Sequence, residues 1–394
     1  MSPLRIVGLA VAGITAPIAI AYRFARVYRN RAGFPRPSPP RFVPSDLGLT
    51  YDVLEIATPD GLALPAWFIP ARGGAPGPGV VLVHGWESAR DRTLPNAAFL
   101  VAAGYHCLTI DVRGHGVNEP ESLPVTTGEF GADAGAAFDA LMARPEVTSG
   151  ALLGHSMGAV GSLIAAATDP RVAAVVATST PADPYRLTRQ TFRLAHLPIP
   201  DLIAYPLAWL TTRVFVKPRH HRPQDISASR AVTLYDGPVM LVHGADDHVV
   251  PVAHLDRLEA AARTTRDPSG ATVERLVVAG GQHSWLYESP AYRAAIARFL
   301  ARELSGPLAP DEAAAAAAAV NARRLPDAEA PFSAMDGEPG GVRTLARAVA
   351  PGRRRRTIDD APSVAETEPT GPPEPALATG PLETAAATVR GDER

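Results

Sequence analysis

Residues 151–159 read Ala151-Leu152-Leu153-Gly154-His155-Ser156-Met157-Gly158-Ala159: a short apolar run, then G-x-S-x-G, then Val160 to Ala167, which can begin a helix. A serine at a strand-to-helix turn must adopt a strained backbone that projects its oxygen outward. Glycines two positions to either side let neighbouring backbone pass without a Cβ clash. Ser156 is the candidate nucleophile, and Gly154 and Gly158 are the residues that permit its turn. The pattern by itself recurs by chance, so its weight depends on what lies around it.

Outward from this elbow, short apolar runs alternate with helical patterns. The runs are 51–56, 79–84, 106–111, 151–153, 172–176, 239–243 and 273–278. This order predicts an α/β fold with a mostly parallel central sheet and helices on both faces. Runs as continuously apolar as Val80-Val81-Leu82-Val83 and Val239-Met240-Leu241-Val242 suit strands covered on both faces. Asp60-Gly61 supplies a hairpin turn between the first run and Leu62 to Phe68, so the sheet is expected to open antiparallel.

Three strand ends carry further polar motifs. Val83-His84-Gly85-Trp86 ends a buried strand in His-Gly before a loop, where a second backbone donor for an oxyanion is expected at Trp86. Asp111-Val112-Arg113-Gly114-His115-Gly116 follows the next strand. His243-Gly244-Ala245-Asp246-Asp247-His248-Val249-Val250-Pro251 ends a later one, and Gly280-Gly281-Gln282-His283 places a histidine in the loop after the last. Together these motifs resemble the α/β-hydrolase superfamily over about residues 50–304, in particular its esterase, lipase and serine-aminopeptidase-like members, some of them membrane-anchored. The order Ser156, Asp247, His283 is the order that superfamily uses. Two departures stand out: Ala159 replaces a second glycine common after the elbow, and Val117-Asn118 follows Gly116 where many members have serine.

The resemblance implies a Ser156–His283–Asp247 triad acting on carboxylic esters, with the backbone N–H groups of Trp86 and Met157 as oxyanion donors and His84 and Gly85 supporting the loop. It implies neither metal nor organic cofactor. Acyl transfer or cofactor-free peroxidase chemistry on the same triad, and a silent scaffold, are the alternatives. Asp247 is preferred to Asp246 because counting forward from Gly244 and back from Pro251 both reach 247. Asp246 is expected to face solvent. The expected substrate is a small-molecule or lipid-like ester, and the insertion at about 180–236, rich in apolar residues, is expected to form a small helical cap.

The ends of the chain read differently. Ile6 to Tyr22 carries no charge over 17 residues, about 25 Å as a helix and the lower limit for a bilayer span. Arg23, Arg26, Arg29 and Arg31 follow it. Residues 1–31 are thus expected to be a single-pass cell-membrane anchor that leaves the domain in the cytoplasm. Because Ala19-Ile20-Ala21 resembles a cleavage site, secretion after removal of a signal peptide is the alternative. Residues 32–45 are proline-rich and read as an extended linker, 46–305 as the catalytic domain, and 306–394 as a disordered tail. In that tail Leu, Ile, Val and Phe number only 12 of 89 residues.

Composition excludes several classes. Lys+Arg 38 against Asp+Glu 40 leaves no basic footprint for nucleic acid. The single cysteine, Cys107, rules out an intramolecular disulfide and thiolate metal clusters, and its apolar strand marks it as a packed side chain. His84, His115, His155 and His248 show no metal-ligand spacing and read as structural. The Gly-rich stretch 73–79 precedes a strand, so it is a surface loop and not a dinucleotide turn.

Overall fold

The computed structural model describes residues 32–194, 200–215, 221–222, 224–266 and 270–322, with scattered positions between 13 and 30. Eight strands form one sheet: β1 (Asp52–Ala57), β2 (Ala63–Ile69), β3 (Gly77–Val83), β4 (His106–Ile110), β5 (Val147–His155), β6 (Val172–Thr178), β7 (Val239–Gly244) and β8 (Val273–Val278). Their spatial order is β1-β2-β4-β3-β5-β6-β7-β8. The hairpin expected at Asp60-Gly61 makes β1 and β2 antiparallel, β2 also runs antiparallel to β4, and every later pairing is parallel.

Strand alternation divides the core in two. Val81, Val83, Leu152, Val175 and Leu241 point to one face, under α2 (Thr127–Met142), α3 (Met157–Ala166), α6 (Ala228–Leu234) and α7 (Ala253–Thr265). Val80, Leu82, Leu153, Val176 and Met240 point to the other, under α1 (Leu94–Ala102), α8 (Pro290–Glu303) and α9 (Pro310–Ala319). Both faces of these strands are dry, which is why their sequences are apolar without a period of two. The helix starts follow local rules as well. Thr126 and Glu129 form a capping box at α2, and Ser289-Pro290 opens α8.

Three expectations about organisation are corrected. The proline-rich stretch has no regular secondary structure over 35–40, and it lies against the domain and is not a free spacer. The Val125 N–H donates to Gly33 O at 2.7 Å, the Arg41 N–H donates to Asp91 Oδ2 at 2.9 Å, and Phe42 and Val43 pack on the second core. Proline sets the backbone conformation but leaves its ring free to pack, and Pro35 is buried. The cap is narrower than 180–236: it comprises α4 (Pro184–Leu194), α5 (Asp201–Leu210) and a wide turn at Thr211–Phe215, while α6 returns to the sheet.

The boundary at 305/306 is also moved. Ala313, Ala314 and Ala317 of α9 are buried, and Arg293 donates from Nε to Ala317 O at 3.1 Å and from Nη2 to Ala318 O at 2.8 Å. Alanine has the best helix propensity and its small side chain allows close packing, so a count of Leu, Ile, Val and Phe overlooks it. The remainder of the expected tail, 323–394, lies outside the described residues, as does most of the uncharged run 6–22. Among the described residues no helix is long and apolar enough to cross a membrane. Truncation after Ser305 should lower the melting temperature by about 5 °C or more relative to truncation after Ala322. Differential scanning calorimetry of the two proteins checks this.

Candidate active site

At the end of β5, Ser156 has φ 54° and ψ −117°, a conformation that non-glycine residues rarely take and that costs about 1–3 kcal/mol. Its N–H donates to Thr178 O on β6 at 2.9 Å, which ties the turn to the neighbouring strand. The flanking glycines are sterically required. A Cβ on Gly154 would drive into Gly158 O and the Ala159 backbone, and one on Gly158 would drive into the carbonyl oxygens of Val83 and His84. Ala159 itself is buried without strain, so the departure noted there leaves the elbow intact.

The loop after β3 runs directly against this turn, with the Cβ position of Gly85 3.4 Å from Ser156 Cβ. His84 is buried and fixed at both ring nitrogens: Nδ1–H donates to Gly85 O at 2.7 Å, and the Val112 N–H donates to Nε2 at 3.1 Å. Burial pushes its pKa down to about 4, so the neutral ring that this pairing needs is the stable form. A trans peptide directs its C=O and N–H oppositely, so holding Gly85 O turns the Trp86 N–H away from the His84 ring. The Met157 N–H occupies the first position of α3, where a helix has no internal acceptor for it.

The D-x-R-G-H-G turn supports this loop from behind. Asp111 accepts from the Arg90 N–H and from Arg90 Nη1, both at 2.7 Å. Asn118, where serine is common, donates from Nδ2 to Asp111 O at 3.0 Å. His115 packs edge-on to Trp86, 5.2 Å between ring centres, and burial lowers its pKa to about 3. His84 and His115 are therefore structural, as expected, but what they structure is the loop that carries Trp86.

His283, in the loop after β8, brings Nε2 to 3.1 Å from Ser156 Oγ and Nδ1 to 2.9 Å from Asp247 Oδ2. All three side chains are buried. Asp247 Oδ1 accepts from the N–H groups of Val249 at 2.9 Å and Val250 at 2.8 Å. Burial works to raise the Asp247 pKa, but the electrostatic attraction and hydrogen bonds of His283 and His243 outweigh it and hold the carboxyl well below the usual carboxylate range. Asp246 is exposed, as the counting argument expects. With Asp247 accepting from Nδ1–H, the Nε2 lone pair of His283 faces the serine hydroxyl.

Three supporting residues have roles that the motifs do not reveal. His243 donates from Nε2 to Val250 O at 2.7 Å and lies 3.3 Å from Asp247 Oδ2, bracing the loop that holds the acid. His155 Nε2–H and Ser179 Oγ–H both donate to His283 O, at 2.8 and 2.9 Å. Burial holds the His155 pKa near 4, so it serves as a neutral donor. The only sequence signal for these roles is position: His155 is the variable residue within G-x-S-x-G, and His243 immediately precedes Gly244.

A cavity of about 90 Å³ adjoins the elbow. Met157 and Val160 of α3, Pro184 and Leu187 of α4, and Thr212 line it, with Ala32 of the N-terminal segment on its wall. It is chiefly apolar and begins at the residue after Ser156.

Residues 74–228 match the family model for serine aminopeptidase, S33. An uncharacterised protein of Mycobacterium tuberculosis is 29% identical over 268 residues, covering 66% of this chain and 85% of its own length. The sn-1-specific diacylglycerol lipase ABHD11 of Xenopus tropicalis is 33% identical over 101 residues, 25% of this chain and 30% of that protein. Among solved structures, the Pyrococcus furiosus esterase Pf2001 superposes with a TM-score of 0.53 at 25% identity, covering 68% of this chain and 99% of the esterase. The chain has the α/β-hydrolase fold and is an α/β-fold hydrolase.

Gly158→Ala should destabilise the fold by at least about 3 kcal/mol, because the new methyl meets backbone that cannot rotate away. Urea denaturation of the variant measures this.

Proposed function

We propose that this hydrolase cleaves carboxylic esters by acylating Ser156, with His283 as general base and acid and Asp247 as its orienting carboxylate. The observation that carries the reading is the unbroken hydrogen-bonded line Asp247–His283–Ser156 beside an apolar cavity. As Ser156 Oγ attacks the ester carbonyl, its proton passes to His283 Nε2, and the Asp247 carboxylate stabilises the imidazolium. The N–H groups of Trp86 and Met157 receive the oxyanion, and losing one such donor typically costs about 2.7–4 kcal/mol of transition-state stabilisation. His283 then protonates the leaving alcohol, and water hydrolyses the acyl-enzyme by the same proton route.

The lining of the cavity favours an acyl group without charge, hence a small-molecule or lipid-like ester. The partial likeness to a diacylglycerol lipase accords with that class. The arginines that follow the uncharged run support placing the domain at the cytoplasmic face of a membrane, with residues 6–22 as the anchor.

Fluorophosphonate labelling tests the reading: label should attach at Ser156, and a folded protein that takes none overturns it. Ser156→Ala should reduce ester turnover by more than about four orders of magnitude while leaving the melting temperature close to that of the parent, as followed on a panel of acyl esters. Asp247→Asn should lower kcat by roughly three to four orders of magnitude, and Asp246→Asn by less than about tenfold. The opposite ranking of the two purified variants would move the acid to Asp246.

A further inference from the structure

Helix α5 is apolar on every side. After Asp201 its sequence is Leu-Ile-Ala-Tyr-Pro-Leu-Ala-Trp-Leu, with Ala204 and Ala208 turned inward and buried. Outward it presents Leu202, Ile203, Tyr205, Trp209 and Leu210, of which Leu202 is 88% exposed. Thirteen large hydrophobic residues are exposed among the described ones, and five lie on this single helix. A contiguous strip of this kind on a soluble domain marks a contact surface. The small residues sit where the helix meets the cap and the large ones where it does not, the reverse of what packing alone would select.

The charge beside the strip indicates what covers it. From Leu202 to Gln224 the sequence contains no acidic residue and four cations. Arg213 and Arg222 are exposed, and the Arg213 guanidinium lies over the Trp209 ring at 4.5 Å, a pairing of aromatic and cation suited to the headgroup level of a bilayer. Two copies meeting through this strip would bring like charges together. Position points the same way: Thr212, two residues after α5, and Ala32 line one cavity, and Ala32 is ten residues beyond Tyr22, where the uncharged run ends. Ten residues reach at most about 35 Å, so a bilayer holding that run lies within reach of the cap.

We infer that the outer face of α5, with its cationic flank, docks on an anionic lipid surface and holds the mouth of the cavity at that surface. The positional leg rests on the proposed anchor; none of the inference rests on chemistry at Ser156.

The test uses the full chain. Cys107 is fully buried, so a nitroxide on Leu202→Cys reports that site alone, and Val53→Cys, 71% exposed on β1, is the control. Each labelled protein is mixed with phosphatidylcholine vesicles with or without phosphatidylglycerol. Power saturation then compares collisions with oxygen and with a water-soluble nickel chelate. On anionic vesicles the label at 202 should become lipid-exposed while the label at 53 stays in water, and on phosphatidylcholine alone the docked fraction should fall by about tenfold or more. Equal water exposure at both positions, equal docking on both lipids, or an immobilisation at 202 that appears without lipid and grows with protein concentration would each overturn the inference. Co-sedimentation with vesicles of phosphatidylcholine alone, on which α5 should not dock, reports residues 6–22, and ester turnover reports the triad, so failure of either reading is distinguishable from failure of this one.

Discussion

Between β3 and the first turn of α3 there is no space for a side chain: the carbonyls of Val83 and His84 occupy the volume that a Cβ at Gly158 would need. That contact fixes the separation between the elbow that carries Ser156 and the loop that carries Trp86, and the two oxyanion donors proposed here belong to those two segments. The strained backbone of Ser156 survives because both sides of the turn are pinned, by the Thr178 carbonyl on β6 and by the glycine contacts on β3. A site geometry resting on backbone contacts is less sensitive to surface substitution than one resting on long side chains. This accounts for a site whose precision originates in the sheet.

The acid is held by the opposite strategy. Asp247 is buried where burial alone would neutralise it, and four donors offset that cost: the amides of Val249 and Val250, Nδ1 of His283, and Nε2 of His243 shared with Val250 O. The arrangement is compact because these groups come mostly from one strand-end loop closing on its own side chain. An acid charged throughout mild acid and neutral pH gives His283 one tautomer and one ring orientation, which the Ser156 contact needs.

Sequence made the sheet and the candidate site legible for physical reasons that also explain where it failed. Val80 to Val83 and Val239 to Val242 are covered on both faces, so their apolar runs are continuous, and polar residues that interrupt them at the strand ends stand out. His84, Ser156 and Asp247 all sit at such interruptions. His155 and His243 sit there too, but His155 finds its partner in the His283 carbonyl 128 residues away, and His243 finds its partners only once the loop after β7 folds Val250 O and the Asp247 carboxylate back onto it. No spacing rule encodes that. The packed α9 was hidden for another reason: alanine contributes burial through close approach, which hydrophobic counts underweight. The proline-rich strap was hidden because extended conformation and attachment to the surface are separate properties, and only the first is written in proline content.

The position of the cap over the elbow follows from topology and not from any affinity of its helices. β3, β5, β6, β7 and β8 run parallel, so the segments leaving their C-terminal ends emerge along one edge of the sheet. Ser156 leaves β5 there, Asp247 leaves β7, His283 leaves β8, and the excursion that becomes α4 and α5 leaves β6 between them. An insertion at that point must therefore cover Ser156 and its partners. Because the strap returns along the same end, with Gly33 bonded to Val125 and Ala32 on the cavity wall, the space under the cap is closed by residues more than 150 positions apart. The inner faces of those segments are free to define the substrate. The outer face of α5 bears no such duty, which leaves its large apolar side chains to be set by what the domain meets.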